Sequence, residues 1–98
     1  MDSDEARGVR FKAERDRLLL EFGKKLRELR GPRTQEEIAD LTNLHPTYIG
    51  LLERGKREPK LLIVLILARA LDVPLERLAQ GLPIPKERKP PPGATGGK

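Results

Sequence analysis

The stretch "IADLTNLHPTYIGLLERG", residues 38–55, holds two short apolar-patterned segments on either side of a corner. Isolated helices shorter than about 12–15 residues are marginal in water, so neither segment stands by itself. They are expected to fold across each other and onto a shared core. Asn43 marks the corner, because asparagine tolerates the left-handed conformation better than any residue except glycine. Pro46 suits the first position of the helix that follows, where a missing N–H leaves no bond unmade. That helix carries Ile49 and Leu52 inward and stops at Gly55.

The flanking sequence supplies what the corner packs on. Upstream, Thr34 can cap a helix whose first turn holds Glu36 and Glu37, where the dipole favours negative charge. Ile38, Ala39 and Leu41 are expected to face inward from it. Before that, Phe11, Leu18, Phe22, Leu26 and Leu29 recur at three- and four-residue spacing, which predicts an amphipathic helix over about 11–30. Gly31-Pro32 ends it. Downstream, Pro59 precedes a helix over about 60–71, and Pro74 precedes a fifth that ends at Gly81. The run "LLIVLILA", residues 61–68, fits a buried strand equally well by periodicity. The chain offers no second strand to pair with it, so helix is the reading. The fold class is therefore all-α, a compact five-helix unit over residues 10–82.

Composition bounds the ends and the compartment. Residues 1–9 read as a flexible N-terminus. Residues 83–98, "PIPKERKPPPGATGGK", hold one sizeable aliphatic, Ile84, and read as a disordered Pro/Gly-rich tail. The absence of cysteine excludes disulfides, thiol catalysis and cysteine-held zinc. The acidic start lacks an apolar signal region, and the longest apolar run is too short to cross a bilayer. A cytoplasmic protein with no membrane partner is expected.

The net charge of +5 suggests a polyanionic partner. Yet residues 34–59 carry three basic and five acidic side chains, so bulk charge does not single out a nucleic-acid face. Spacing has to carry that reading. A small residue, Ala39, stands where two helices would cross; Asn43 supplies the corner, and Ile49 supplies the core anchor. This is the spacing of a helix-turn-helix.

Residues 22–78 resemble the Cro and phage-repressor (XRE-type) helix-turn-helix family. The resemblance rests on Thr34-Gln35-Glu36-Glu37-Ile38-Ala39, Tyr48-Ile49, Glu53-Arg54-Gly55-Lys56-Arg57, Pro59 and Leu67-Ala68-Arg69-Ala70-Leu71. There are three departures: Asn43 replaces the usual corner glycine, the loop Gly31–Arg33 is short, and His45 stands where a serine-like N-cap is usual. The resemblance implies a repressor-like DNA-binding domain whose recognition helix, about 45–54, enters the major groove. It implies transcription regulation, double-stranded DNA as partner, and a bacterial or phage-type, nucleoid-associated protein.

Site residues follow from that resemblance position by position. The implied base readers are His45, Pro46, Thr47 and Leu51. Thr47 offers a hydroxyl and a methyl, whereas Pro46 and Leu51 offer only apolar contact, for instance to a thymine methyl. His45 either donates to a base or merely caps its helix. Thr34, Gln35, Tyr48, Arg54, Lys56 and Arg57 are the implied phosphate contacts, with packing an alternative for Tyr48 and a solvated loop the alternative for "RGKR". Arg30 and Glu53 fall where the family forms an internal ion pair.

A homodimer on a palindromic or pseudo-palindromic operator is expected, with Leu62, Ile63, Ile66, Leu75 and Leu82 at its interface. The alternative is an antitoxin-like or other protein-interaction module that uses the same patch for a toxin or polymerase. Enzyme activity is not expected, since one histidine, no cysteine and no phosphate-binding glycine loop leave no catalytic constellation. No cofactor and no metal site are expected either.

Overall fold

The computed structural model describes residues 3–83, with side chains from Lys12 onward. Five helices follow in order: α1 Ser3–Arg30, α2 Gln35–Thr42, α3 Pro46–Glu53, α4 Leu61–Leu71 and α5 Leu75–Ala79. Among the described residues all regular structure is helical. None of these helices is long and apolar enough to cross a membrane.

Each boundary has a local cause. Thr34 opens α2 with a capping box: its hydroxyl accepts from the Glu37 N–H at 3.0 Å, and the Glu37 carboxylate accepts from the Thr34 N–H at 2.8 Å. Asn43 closes α2 in the left-handed conformation, φ 60°, as its side chain permits. Pro46 occupies the first turn of α3. The end of α3 is a Schellman motif, with the Lys56 N–H on the Leu51 carbonyl at 2.8 Å and the Gly55 N–H on the Leu52 carbonyl at 3.1 Å. Gly55 supplies the positive φ, 72°, that this motif needs. The run at 61–68 is helical, and Asp72 at φ 58° ends it with the same pair of bonds, Val73 to Ala68 and Asp72 to Arg69.

α1 packs on α3 and α5, α2 packs on α3 and α4, and α4 packs on α5. The core at their junction is Phe22, Leu26, Ile38, Ala39, Ile49, Leu52, Leu67, Ala68, Leu71 and Leu78. Ile49 and Leu67 are fully buried, and each such side chain contributes about 1.5–3 kcal/mol of transfer free energy. At the corner, the buried Thr42 hydroxyl donates to the Ile38 carbonyl at 2.8 Å and accepts from the Leu44 N–H at 3.2 Å. It ties the end of α2 to the turn.

Three expectations need revision or fall outside these residues. Leu41 is 59% exposed rather than inward, because the buried arc of α2 is centred on Ile38, Ala39 and Thr42 and leaves Leu41 beyond its edge. α1 starts at Ser3, well before the expected start near Phe11, and so runs into the stretch read as a flexible N-terminus. The expectation for the Pro/Gly-rich tail falls, beyond Pro83, outside the described residues.

The capping box gives the Glu37 carboxyl an acid-side signature. The Thr34 backbone N–H, helped by its hydroxyl, holds that carboxyl below the usual glutamate range. A depressed folded-state pKa means the stabilisation is present above the unfolded value and is lost as pH falls through the carboxylate range. A Glu37→Gln chain keeps an acceptor for Thr34 but lacks the charge. Its melting temperature is expected to lie below wild type at neutral pH and to converge with it on acidification. A gap independent of pH would contradict this origin.

Candidate nucleic-acid interface

α3 is fixed from below by Ile49 and Leu52, which are essentially buried, and this turns its first turn outward. His45 caps it: the Nδ1 atom accepts from the Thr47 N–H at 3.1 Å while the ring remains exposed. One ring nitrogen is thereby committed to the helix, and only Nε2 is left to face a ligand. Thr47 is exposed, so its hydroxyl and methyl are both available. Pro46 and Leu51 are half-buried, as is Tyr48, which packs against the core.

The start of α2 lies beside α3. With the Glu37 N–H taken by the Thr34 cap, the N–H groups of Gln35 and Glu36 keep no intrahelical acceptor. They form the anion-seeking end of the helix. A Cβ added to the buried Gly50 would fall 3.2 Å from Arg54 Nη1 and 3.3 Å from Gln35 Oε1. The bare glycine therefore lets the Gln35 and Arg54 side chains close over the middle of α3. Arg54, Lys56 and Arg57 are exposed on the loop that follows.

A buried polar network holds these parts in register. Arg30, at the end of α1, pairs with Glu53 at the end of α3 through two bonds, Nε to Oε2 at 2.6 Å and Nη2 to Oε1 at 3.0 Å. Their side chains are 15% and 4% exposed, so both charges are largely out of water. The Gln35 amide donates to Glu53 Oε1 at 3.0 Å, which brings α2 into the same network. Arg30 Nη1 also donates to the Arg33 carbonyl at 2.6 Å, closing the short α1–α2 loop. Hydrogen bonding to Glu53 raises the Arg30 pKa further, against the opposing effect of burial. One carboxylate thus orients three helices.

One residue and one bond of this arrangement were not singled out from the sequence. Nothing in the sequence marks Gly50, and only the close approach of Gln35 and Arg54 shows why no side chain is there. The Gln35–Glu53 bond joins residues far apart in the chain, and no periodicity announces it. The Gln35 side-chain amide is thus tied inward to Glu53, while its backbone N–H, without an intrahelical acceptor, is left for an anion.

The residues assigned to the dimer patch divide. Leu62 is 65% exposed, Ile66 is half-buried, and Leu75 is 37% exposed. Ile63 and Leu82 pack partly against the core. The outward ridge of α4 is instead Leu61, Leu62 and Leu65, at 68%, 65% and 43% exposure. Among the described residues no cluster of His, Cys, Asp and Glu is placed to hold a metal ion.

Comparison with known proteins places these features in context. The Helix-turn-helix family model matches residues 24–78. The chain is 43% identical over 51 residues to the control protein C.SmaI of Serratia marcescens, a match covering 50% of this chain and 61% of that protein. It therefore spans less than two thirds of that relative. It also superposes on the crystal structure of the restriction-modification controller protein C.AhdI from Aeromonas hydrophila with a TM-score of 0.60 and 44% identity. That match covers 61% of this chain and 94% of the controller protein.

Proposed function

We propose, from the premise that this chain belongs to the helix-turn-helix family, that it is a sequence-specific regulator of the restriction-modification controller type. It reads double-stranded DNA as a homodimer. The observation that carries this reading is the setting of α3. Its lower face is locked into the core by Ile49 and Leu52, while His45, Pro46 and Thr47 are presented at the open end. Thr47 and Leu51 are the candidate base readers, with Pro46 supplying apolar contact and the His45 Nε2–H a donor. The backbone at Thr34 and Gln35, the Gln35 side chain, Tyr48, and the cations Arg54, Lys56 and Arg57 are the candidate phosphate contacts.

The two groups of residues make different demands on a mutant. Thr47→Ala is expected to change preference at one or two base pairs by about 1–3 kcal/mol and to leave other positions alone. Lys56→Ala is expected to weaken all duplexes nearly alike and to flatten the salt dependence, since it releases counterions without reading bases. Binding to a selected site and to random duplex across a salt series measures both. If Thr47→Ala behaved like Lys56→Ala, α3 would not be the reading helix. Equal affinity of the wild type for both duplexes at every salt would remove sequence specificity altogether.

A single recognition helix reads too few base pairs to single out one site, so the reading includes a two-fold dimer on a palindromic or pseudo-palindromic operator. The α4 ridge with Leu62 and the neighbouring Ile66 and Leu75 supports it as the association surface. Exposed aliphatics this close together are expected to be covered.

A further inference from the structure

The first turn of α3 has no backbone donor to offer a ligand. Pro46 lacks an N–H. The Thr47 N–H is taken by His45 Nδ1 at 3.1 Å, and the Tyr48 and Ile49 N–H groups by the His45 carbonyl at 3.0 and 3.2 Å. The first turn of α2 differs, since Gln35 and Glu36 keep their N–H groups free of intrahelical acceptors. An anion held by backbone N–H groups therefore belongs at α2. What α3 presents at its open end is side chain alone, the exposed His45 ring and the exposed Thr47 on either side of Pro46.

The cap also decides what the ring can do. A nitrogen that accepts a hydrogen bond carries no proton, so the neutral ring holds its proton on Nε2. A serine at this position would commit its one side-chain polar atom to the cap. Histidine caps with Nδ1 and keeps a second polar atom on the far side of an exposed ring. The cap bond also holds that ring in place, so the donor is oriented before a ligand arrives.

We infer that His45 is a specificity-determining residue whose Nε2–H reads a guanine, an inference that rests on the reading of α3 as the recognition helix. The Nε2–H donates and cannot accept, so it needs an acceptor and rejects a donor. Guanine shows the major groove two neighbouring acceptors, O6 and N7, and no donor. Adenine sets an amino donor beside its N7, thymine sets a methyl beside its O4, and cytosine offers only an amino group. A phosphate oxygen would accept the same bond. Donors for phosphates, however, are supplied by the start of α2 and by the exposed Arg54, Lys56 and Arg57.

The test uses the full-length chain and the duplex that wild type selects from a random-sequence pool, with each base pair replaced in turn. His45→Asn keeps a cap, since the asparagine oxygen accepts the Thr47 N–H, but its side chain stops short of the Nε2 position. It is expected to melt close to wild type and above His45→Ala. Wild type is expected to prefer guanine over cytosine about tenfold at the base pair that His45 faces. His45→Asn is expected to lose that preference and keep the others. A loss shared by every duplex, random ones included, would put the donor on a phosphate and overturn the inference. So would a lost preference for a base other than guanine, or preferences that do not change at all. If His45→Asn melts with His45→Ala, His45→Ser, which caps through its hydroxyl, takes its place. Thr47→Ala separates these failures from failure of the α3 reading. If it still shifts its own base pair, α3 remains the recognition helix and only the His45 assignment is lost; if neither variant shifts any preference, both fall.

Discussion

An Arg30→Met chain is expected to be less stable than wild type by about 3–5 kcal/mol, the cost of leaving one member of a buried pair behind. Glu53 would keep the Gln35 amide but lose both bonds from the guanidinium, at a position where its side chain is only 4% exposed. Marginal domains hold roughly 5–15 kcal/mol in all, so the melting temperature should fall on the order of 20 °C. The double variant Arg30→Met/Glu53→Leu separates the pair's net worth from the penalty of orphaning a charge. Replacing a buried pair by apolar groups is often neutral or stabilising, so the double variant should recover much of the loss. It should not recover DNA binding fully, because Gln35 loses its acceptor and the end of α3 loses its tie to α1 and α2. Urea unfolding of the three variants gives the cycle. A loss below about 1 kcal/mol in the single variant would mean that the pair is solvated like a surface ion pair.

The parts of this fold that could be read from the sequence are those whose cause is local. Thr34, Asn43, Pro46 and Gly55 each act on their own backbone, through a cap, a left-handed φ, a fixed φ or a chain stop. Their spacing therefore placed the corner and both of its helices. Ile49 and Leu52 were legible for a related reason, since one buried stripe on a short helix follows from its period. Leu41 shows where period alone fails. It lies three residues after Ile38 and so passed as inward, but Ala39 and the apparently polar Thr42 decide where the buried arc is centred. Thr42 is buried because its hydroxyl bonds back to its own helix, which hydropathy does not register.

What stayed hidden depends on two distant segments meeting. Gly50 reads as a weak helix residue until Gln35 and Arg54 arrive over it. The Gln35–Glu53 bond ties the side chain of a candidate phosphate contact into the buried network. The α4 ridge was displaced from Leu62, Ile63 and Ile66 to Leu61, Leu62 and Leu65, because the packing of α4 on α2 and α5 fixes its rotation. On a helix with so many aliphatics, sequence cannot choose the face. The candidate interface was thus legible in its residues but not in how they are braced.

Gly23 is the clearest case of a residue whose role only the packing reveals, and it supports the second large effect. In the interior of a helix, Gly→Ala ordinarily stabilises by about 1 kcal/mol. Here α1 crosses the end of α3 backbone to backbone. A Cβ on Gly23 would lie 2.5 Å from the Leu52 carbonyl oxygen and also inside contact range of the Glu53 carbonyl. Those are main-chain atoms at the end of a helix, so no side-chain rotation relieves the clash. Gly55 makes the matching approach from the other side, where an added Cβ would be 2.9 Å from Leu20 Cα. α1 would have to lift off α3, and overpacking of this kind costs about 1–3 kcal/mol and sometimes more. The clash outweighs the propensity gain, so Gly23→Ala is expected to destabilise, and Gly23→Val to do so by more than about 3 kcal/mol or to prevent folding. Gly31 serves as the contrast: with nothing within 4 Å of its added Cβ, only its φ of +60° opposes alanine, at about 1–2 kcal/mol. Gly23→Ala should also weaken DNA binding beyond its effect on the folded fraction, whereas Gly31→Ala should not. Lifting α1 moves Glu53, and with it Arg54 and the basic loop that follow. Thermal melts and DNA titrations of both variants decide the matter, and a Gly23→Ala chain as stable as wild type would show that α1 and α3 do not meet through their backbones.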